Sequence, residues 1–379
     1  MGNEIIFWLS LGLMGYAYFG YPLLLGVMSL FRDREVMRAD ITPSVTFVIT
    51  AYNEENRITE KLENTLKLSY PDALLEIIVA SDCSSDRTDE LVKSYESRGV
   101  MLVRAAERRG KEAAQKLAVQ SAKGEILVFS DVATILPDNA IQNIVRNFYD
   151  PTVGCVSSED RFVETDGKIS GEGAYVRYEM CLRSLETRVN SLVGLSGSFF
   201  AARSSVCKAQ WSEDLQSDFN TVLNSMRSGL RGVADPDSVG YYRNIRDERK
   251  EFDRKVRTVL RGISVFMQSL SLVNPFQYPI FAWQLFSHKL CRWLVPFAMI
   301  SALVANTWLA SDSIHYGLFL AAQLCFYMIA FAGIVHKPLA KLSMVKLSTF
   351  FLLVNASILQ AWWRYCAGER LVAWEPSRR

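Results

Sequence analysis

The most restrictive feature of this sequence is a run without a charged residue from Ile5 to Phe31. A helix needs about 20 apolar residues to span a bilayer, so this run is long enough to cross a membrane. It carries no small-residue cleavage site, which favours a retained anchor over a secretory signal peptide. Arg32, Arg34 and Arg38 follow directly. Because positive residues stay on the cytoplasmic side, we expect the N-terminus outside and the following region in the cytosol.

Three further apolar stretches lie near the other end. Trp293–Ala310 and Tyr316–Val335 are uncharged, and basic residues flank the pair on both outer sides, which agrees with the orientation of the first anchor. Leu347–Trp363 is followed by arginines that a crossing would place outside, so both a span and an interfacial or re-entrant helix remain open. We expect a multi-pass protein of the inner (plasma) membrane with a cytosolic soluble part.

Composition excludes several classes of function. The net charge is +2, which gives no basic excess for binding nucleic acid, so we expect no nucleic-acid partner. The three histidines are His288, His315 and His336, so the soluble part has neither a histidine-based triad nor a histidine-ligated metal site. The seven cysteines form no CxxC pair, and a disulfide framework is not predicted.

The middle of the chain alternates between strand-like apolar runs and helical patterns. This alternation is typical of an α/β domain with a mainly parallel sheet. Gly124 is expected to end the third of the helices. The predicted strands are 45–50, 76–81, 100–104, 125–130 and 153–158, and the predicted helices are 54–68, 86–98, 110–124 and 137–148.

Ligands of such sheets bind beyond the carboxyl ends of the strands. The residues at those ends are the turn 51–54, Asp82 and Asp131. The first strand is not followed by GxGxxG, and GxxxxGK[ST] does not occur, so a dinucleotide-binding dehydrogenase and a P-loop NTPase are excluded. Acidic residues at the strand ends favour another way of binding phosphate, in which a divalent cation bridges a carboxylate and a diphosphate.

Several motifs in one order carry a family resemblance. They are VTFVITAYNEE (45–55), IIVASDCSSDRTDE (77–90), GK (110–111), GEILVFSD (124–131), GLSGSFFAARSS (194–205), SEDLQSDFN (212–220) and EFDRKVRTVLRG (251–262). Together they closely resemble membrane-bound inverting family-2 glycosyltransferases with the GT-A fold. The flanking apolar segments look like those of the cellulose, chitin and hyaluronan synthase branch.

The resemblance covers nearly the whole chain and implies a domain order. Asn274, Pro275 and Pro279 interrupt the apolar stretch before the second span, which suits broken interfacial helices. The expected order is an N-terminal transmembrane helix (1–31), a cytosolic GT-A domain with a Rossmann-like sheet (40–262), interfacial helices (263–290), C-terminal membrane helices (291–366) and a tail (367–379).

The resemblance assigns a nucleotide-binding role to the first two strand ends. Asp82 would accept the imide N–H of uracil, with Ala51, Tyr52 and Glu54 lining the base and ribose. The alternative is that Asp82 caps a turn or the next helix. We expect Asp82→Ala to weaken UDP binding and leave the fold intact, because a surface-loop carboxylate contributes little packing. Lys111 begins a helix, a position suited to a nucleotide phosphate, although a solvated lysine remains an alternative.

Asp131 matches the first aspartate of the family's D-x-D motif, and it is the expected ligand of Mg²⁺ or Mn²⁺. The second acidic position of that motif is Ala133 here. Magnesium is often held by one or two carboxylates together with substrate phosphates and water, so one aspartate can suffice.

Asp218 matches the family's general base. An inverting transfer requires the acceptor hydroxyl to lose its proton as it attacks, and a carboxylate is the remaining base where histidine is absent. Asp214 and Glu213 are competing candidates, and a helix-capping aspartate is the structural alternative. The resemblance further implies that Gly197 and Ser198 contact the acceptor.

Arg254, Arg257 and Arg261 share one helix face. The family's Q-x-x-R-W motif lies here, with Arg254 and Thr258 in place of its Gln and Trp. Arg257 is the retained cation expected near the departing diphosphate, and Arg254 is assigned to nucleotide binding. The missing tryptophan leaves processivity open. A basic amphipathic helix on anionic lipid is an alternative that is compatible with both roles.

The expected function is inverting transfer of a hexosyl or N-acetylhexosaminyl group from a nucleotide sugar, expected to be a UDP-sugar. The acceptor would be a growing polysaccharide or a lipid-linked glycan at the bilayer, by processive or single addition. The alternative is a catalytically degenerate subunit that scaffolds a polysaccharide synthesis complex. Ala133 and the missing tryptophan favour the alternative, whereas retention of Asp82, Asp131, Asp218 and Arg257 favours the enzyme.

Overall fold

A computed structural model describes residues 1–163, 174–243, 248–336, 338–339 and 342–370. The chain falls into two compact units. The helical unit contains residues 1–26, 248–264 and 282–370, and the sheet unit contains residues 27–243 and 265–281.

The N-terminal apolar run is one continuous helical stretch, as its uncharged length predicts. Helix α1 (Gly2–Gly15) is followed by a π-helical turn (Tyr16–Gly20) and then by α2 (Tyr21–Phe31). Gly2–Phe31 is long and apolar enough to cross a membrane. This agrees with the span expected from Ile5 to Phe31.

A seven-stranded mixed sheet organises the sheet unit, in the order β3-β2-β1-β4-β6-β5-β7. Its strands are β1 (Val45–Ala51), β2 (Leu75–Ser81), β3 (Val100–Arg104), β4 (Ile126–Asp131), β5 (Val153–Val163), β6 (Phe199–Arg203) and β7 (Arg231–Arg243). All residues of β1 are buried, which is typical of a strand covered on both faces. The predicted GT-A-type α/β sheet with mainly parallel strands is confirmed.

Direction within the sheet matters for the site. Strands β1 to β4 pair in parallel, whereas β6 runs antiparallel to both β4 and β5. Strand β7 pairs in parallel with β5. Neither β6 nor β7 was predicted from the sequence. Because β6 is antiparallel, the residues before it arrive at the edge where β1, β2 and β4 end.

Short helices connect and cover these strands. They are α3 (Ile58–Leu66), α4 (Thr88–Lys93), α5 (Lys111–Ser121), α6 (Ala140–Val145), α7 (Ala174–Val189), α8 (Ser204–Ala209) and α9 (Ser217–Arg227). The four predicted helices correspond in order to α3, α4, α5 and α6, and each is shorter than its sequence pattern, whereas α7, α8 and α9 were not predicted. Apolar residues of α3, α4 and α6 join the sheet in one core that includes Phe47, Val79, Val128 and Phe199.

Gly124 has a different role from the one predicted. Helix α5 ends at Ser121 and is followed by extended backbone at Ala122, so Gly124 is not its terminal residue. A Cβ at residue 124 would lie 2.4 Å from the backbone nitrogen of Thr46. The glycine therefore permits close approach of this turn to the start of β1.

The described chain after β7 is mainly helical. It contains α10 (Glu248–Met267), α11 (Pro279–Leu285), a π-helical turn (Phe286–Cys291), α12 (Arg292–Leu309), α13 (Ile314–Val335) and α14 (Ser343–Cys366). The stretches Pro279–Leu309, Ile314–Val335 and Ser343–Cys366 are long and apolar enough to cross a membrane.

One boundary differs from the predicted division at residue 290. Pro279 starts a helical stretch that continues through the π-helical turn to Leu309. Proline is favoured at the first position of a helix, where its missing N–H is not needed. Pro279 was expected to interrupt an apolar stretch, but it is the first residue of a helix. Residues 279–290 are part of the helical stretch that ends at Leu309.

Candidate active site

The ends of three parallel strands meet at one edge of the sheet. Ala51 at the end of β1 lies opposite Ser81 of β2, and Thr50 lies opposite Asp131 of β4. The turn after β1, Asp82 and Asp131 are thereby neighbours, although they lie far apart in sequence.

The first two turns have a constrained backbone and hold each other. Asn53 and Cys83 adopt positive φ values of 51° and 57°. The side-chain oxygen of Asn53 accepts a hydrogen bond from the Ser85 N–H at 2.8 Å, and the Asn53 N–H donates to Ser84 Oγ at 3.2 Å. Left-handed non-glycine residues cost energy and concentrate at functional sites. These turns are therefore a preformed part of the strand-end surface.

Tyr52 and Glu54, two of the predicted nucleotide-binding residues, already have partners. The Arg108 guanidinium lies 4.0 Å from the centroid of the Tyr52 ring. The carboxylate of Glu54 pairs with Arg57 at 2.7 Å, and the Glu54 N–H donates to Thr88 Oγ1 at 2.7 Å. Burial raises the pKa of Glu54, and the nearby Arg57 opposes that rise. Tyr52 with Arg108 presents a stacked pair, whereas Glu54 stabilises the turn.

Asp82 is completely buried, which contradicts the premise that it is a surface-loop carboxylate. Its carboxylate accepts hydrogen bonds from the N–H groups of Arg109 and Gly110 at 2.9–3.0 Å. Burial raises its pKa, and these two backbone donors partly offset that effect. Asp82 thus holds the loop that leads into α5. We therefore expect Asp82→Ala to destabilise this loop as well as to affect nucleotide binding.

Lys111 joins the strand end to a second loop. Its ammonium lies 2.5 Å from Asp131 Oδ1 and donates to the carbonyl oxygen of Gly197 at 3.0 Å. Gly110, which precedes it, has a φ of 104°, a conformation that favours glycine. The side chain of Lys111 is only 10% exposed, so the solvated-lysine alternative does not describe it. The predicted phosphate-binding lysine and the predicted metal ligand are a direct ion pair.

Gly197 also contacts the predicted base. A Cβ at residue 197 would lie 2.6 Å from Asp218 Oδ2. The next residue, Ser198, accepts a hydrogen bond at its carbonyl oxygen from the Asp131 N–H at 3.0 Å. The segment 196–198 therefore connects Asp131, Lys111 and Asp218.

Asp218 lies in the first turn of α9. Its Oδ1 accepts the Phe219 N–H at 2.7 Å and its Oδ2 accepts Gln216 Nε2 at 3.1 Å. The positive end of the helix dipole stabilises a carboxylate there. Asp218 is not the N-cap residue of α9, which is Gln216, and it lies against Gly197.

The two competing bases are placed less favourably. Glu213 pairs with Lys116 at 2.7 Å and with Arg109 at 2.8 Å, and the hydrogen bond from Lys116 lowers its pKa. Asp214 is exposed and precedes α9, so it is not on the same helix as Asp218. In the described part of the chain, Asp218 contacts the 196–198 segment, whereas Glu213 pairs with Lys116 and Arg109 and Asp214 is exposed.

Sequence reasoning did not identify Lys61. Its ammonium is fully buried and donates to Ser130 Oγ at 2.8 Å and to the Thr134 carbonyl oxygen at 2.7 Å. Burial lowers its pKa to about 7, while the charge of Asp131 opposes this shift. Lys61 bonds to both sides of the loop that carries Asp131. A readable signal existed, because Lys61 has the i+3 spacing from Ile58 that places it on the buried face of α3.

Asp160 of β5 was also missed. Its carboxylate accepts hydrogen bonds from Ser196 Oγ at 2.5 Å and from Ser198 Oγ. Burial raises its pKa, an effect that the two serine hydroxyls and Arg183 oppose. Because the strand pattern ended at residue 158, no sequence signal placed Asp160 beside the GLSGS motif.

Arg254 and Arg257 lie on α10, in the helical unit. The Arg254 guanidinium makes two hydrogen bonds with Glu251, at 2.8 Å and 2.7 Å. These two hydrogen bonds lie within one helix, α10. The roles of Arg254 and Arg257 toward a nucleotide remain predictions from the sequence.

The donor set at the end of β4 fits a divalent cation held mainly by a nucleotide. The Asp131 side chain is 28% exposed, so it can reach a ligand beyond the strand end. Within the described part of the chain, no three His, Cys, Asp or Glu side chains form a metal cage. A cation bound by one carboxylate, the phosphates and water is compatible with this set.

Known proteins resemble both the sequence and the fold. Residues 46–209 match the family described as Glycosyl transferase family 2. Poly-β-1,6-N-acetyl-D-glucosamine synthase of Staphylococcus aureus (strain MSSA476) is 29% identical over 203 residues, which are 52% of this chain and 48% of the relative. The same-named enzyme of Staphylococcus epidermidis is 25% identical over 178 residues, 45% of this chain and 42% of the relative. The chain spans about half the length of the curated relatives it matches.

A solved structure extends the likeness over the fold. A mannosyltransferase from Pyrobaculum calidifontis, solved with GDP-mannose and Mn²⁺, has a TM-score of 0.73 and 24% sequence identity. The match covers 97% of this chain and 99% of that protein. Residues 46–209 therefore match glycosyl transferase family 2 within a sheet unit of GT-A type, and the described part of the chain also has helices long and apolar enough to cross a membrane.

Proposed function

We propose that this protein transfers a sugar with inversion from a nucleotide sugar to a glycan acceptor at the membrane. The observation that carries the proposal is a connected group at the sheet edge. Lys111 bridges Asp131 and the Gly197 carbonyl oxygen, and Gly197 lies against Asp218. One group thus joins the residues that we propose as the phosphate-binding cation, the metal-binding carboxylate and the base.

Each residue has a chemical task in this proposal. Lys111 binds the diphosphate and stabilises the negative charge that develops on it as the bond to the sugar breaks. Asp218 accepts the proton of the attacking acceptor hydroxyl, which contributes about 10²–10⁴ in rate. Gly197 allows the carboxylate of Asp218 to approach the 196–198 segment. Asp131 would hold the Mg²⁺ or Mn²⁺, which would supply further positive charge to the diphosphate.

The nucleotide sugar that serves as donor is proposed from the proteins that this chain resembles. The staphylococcal relatives are named for a polymer of N-acetylglucosamine, and the similar solved structure contains GDP-mannose. We propose a nucleoside diphosphate sugar, with UDP-N-acetylglucosamine as the first donor to test and GDP-mannose as the second. The acceptor is proposed to be a growing polysaccharide or a lipid-linked glycan, because four helices among the described residues are long and apolar enough to hold the protein in a bilayer.

The decisive experiment is product analysis with the purified full chain. The protein in detergent is incubated with Mg²⁺ or Mn²⁺, a glycan or lipid-linked acceptor mixture and a panel of labelled UDP- and GDP-sugars. The proposal predicts labelled glycan with one donor and release of the matching nucleoside diphosphate. Asp218→Asn is the control, since it keeps the volume of the side chain and removes the base.

The second candidate function is a subunit that binds but does not transfer. The observation that favours it is Ala133, which supplies no second carboxylate to the strand end. This candidate predicts nucleotide binding without labelled product from any donor, and no difference between the parent protein and Asp218→Asn.

A further inference from the structure

Asp160 forms a polar group with two serines that the proposed reaction does not use. Its carboxylate accepts hydrogen bonds from Ser196 Oγ at 2.5 Å and from Ser198 Oγ, and the two serine oxygens are 3.0 Å apart. The Ser196 N–H in turn donates to Ser157 Oγ at 2.8 Å. The group therefore has a defined geometry that links β5 to the 196–198 segment.

The position of this group relates it to the donor. The Ser198 carbonyl oxygen accepts the N–H of Asp131, so Ser198 is a direct neighbour of the proposed metal ligand. The side chains of Ser196 and Ser198 reach Asp160, whereas the intervening Gly197 faces Asp218. The middle residue of the segment, Gly197, thus lies next to the proposed base, and the residues on either side bind the Asp160 carboxylate.

The chemistry of the group favours a neutral ligand with hydroxyl groups. An ionised carboxylate only accepts hydrogen bonds and offers about four lone-pair positions. Ser196 and Ser198 use two of them, so others are left for hydroxyl donors of a ligand. A phosphate is disfavoured there, because it carries the same charge as the carboxylate. The sugar is covalently attached to the diphosphate that Lys111 would bind, which makes it the hydroxyl-bearing group nearest this position.

We propose that Asp160, held by Ser196 and Ser198, is a specificity-determining residue that accepts hydrogen bonds from hydroxyl groups of the donor sugar. This inference rests on the proposed function. The sugar-free nucleoside diphosphate lacks the groups that Asp160 would bind. Asp160 therefore contributes to the affinity for the nucleotide sugar and not to the affinity for the nucleotide alone.

The test compares the two affinities by calorimetric titration of the full chain with Mn²⁺. The probes are UDP-N-acetylglucosamine against UDP and GDP-mannose against GDP. For the pair that binds, Asp160→Ala is expected to lower the affinity for the nucleotide sugar roughly 10- to 100-fold, the range expected for lost hydrogen bonds to a charged group. The affinity for the nucleoside diphosphate should not change. Asp160→Asn, which preserves the volume of the side chain, is expected to give a smaller loss in the same direction. Glu159→Gln, at the neighbouring strand position, is the control without an expected effect.

Ser196→Ala separates recognition from a purely structural role. It removes one tether of the segment but leaves the Asp160 carboxylate, so recognition predicts that most of the affinity for the sugar is retained. Equal losses for nucleotide sugar and nucleotide in Asp160→Ala and Ser196→Ala would assign Asp160 a structural role and overturn the inference. An effect of Asp160→Ala on acceptor KM alone would also overturn it. Failure of the parent protein to bind either nucleotide sugar or nucleotide would instead reject the proposed function itself.

Discussion

Gly197 lies so close to Asp218 that a Cβ at residue 197 would come within 2.6 Å of Asp218 Oδ2. Real Cβ atoms do not approach other atoms this closely, so any side chain at residue 197 requires movement. The carbonyl oxygen of the same glycine accepts the ammonium of Lys111. The absence of a side chain at residue 197 is therefore a condition for bringing the proposed base near the proposed diphosphate site.

Gly197→Ala is expected to displace the Asp218 carboxylate and lower the rate of glycosyl transfer about 100-fold, because a misplacement of about 1 Å can have an effect of that size. Nucleotide affinity should be retained, since the change adds one methyl group on the Asp218 side. Rates and calorimetric affinities measure the two effects. Gly12→Ala is the control, because nothing lies within 4 Å of a Cβ there. An unchanged transfer rate in Gly197→Ala would remove Asp218 from the proposed mechanism.

Asp218→Asn is expected to lower transfer by about two to four orders of magnitude with substrate binding nearly intact. The amide keeps the shape of the side chain but cannot accept the proton at neutral pH. Asp214→Asn should retain the rate of the parent protein, since Asp214 is exposed and lies before α9. Steady-state kinetics of both variants measure the difference. The reverse pattern, with loss in Asp214→Asn alone, would identify Asp214 as the base.

Asp131→Ala is expected to abolish the part of nucleotide affinity that depends on Mg²⁺ or Mn²⁺. The substitution removes the carboxylate at the end of β4, and Ala133 supplies no replacement. Lys111 keeps its contact with the Gly197 carbonyl oxygen, so the affinity measured in a chelator should persist. Titrations of UDP and GDP with and without metal measure both parts, with the exposed Asp138→Ala as the control. Equal metal dependence in Asp131→Ala and the parent protein would refute Asp131 as the ligand.

Lys61 should make the stability of the sheet unit depend on pH. Its folded pKa of about 7 lies below its ordinary value of 10.5. Between these values the unfolded chain binds more protons than the folded chain, so stability is expected to rise with pH from about 7 toward 10. Lys61→Met removes the titrating group. The thermal midpoint of the parent protein should therefore rise relative to that of the variant as the pH increases over this range. A difference that stays constant with pH would show that Lys61 is not a buried titrating amine.

The local signals in the sequence predicted much of the fold. The length of an apolar run and its lack of charged residues can be seen within one segment of the sequence. The candidate spans near both ends could therefore be predicted from the sequence alone. Strands such as β1 and β4 were identified because each is a continuous apolar run covered on both faces. The acidic residue at the end of β4 followed from its position after such a run.

Residue properties in the folded chain were harder to infer. Asp82 was interpreted as an exposed loop carboxylate, but the loop before α5 encloses it and uses both of its oxygens. The spacing of Lys61 from Ile58 indicates the buried face of α3, but the partners that its ammonium finds there lie in another loop. Such environments depend on contacts between distant segments, which the neighbouring residues in the sequence do not reveal.

The sequence by itself determined the class of this protein, because the apolar runs, the strand-helix alternation and the acidic strand ends are local patterns. Only the tertiary structure decided how the site is assembled. Strand β6 inserts antiparallel between β4 and β5, and this direction brings residues 196–198 to the edge where the parallel strands end. Lys111, Asp131, Asp160 and Asp218 meet through that segment, because the hydrogen bonds and close contacts between them join residues that lie far apart along the chain.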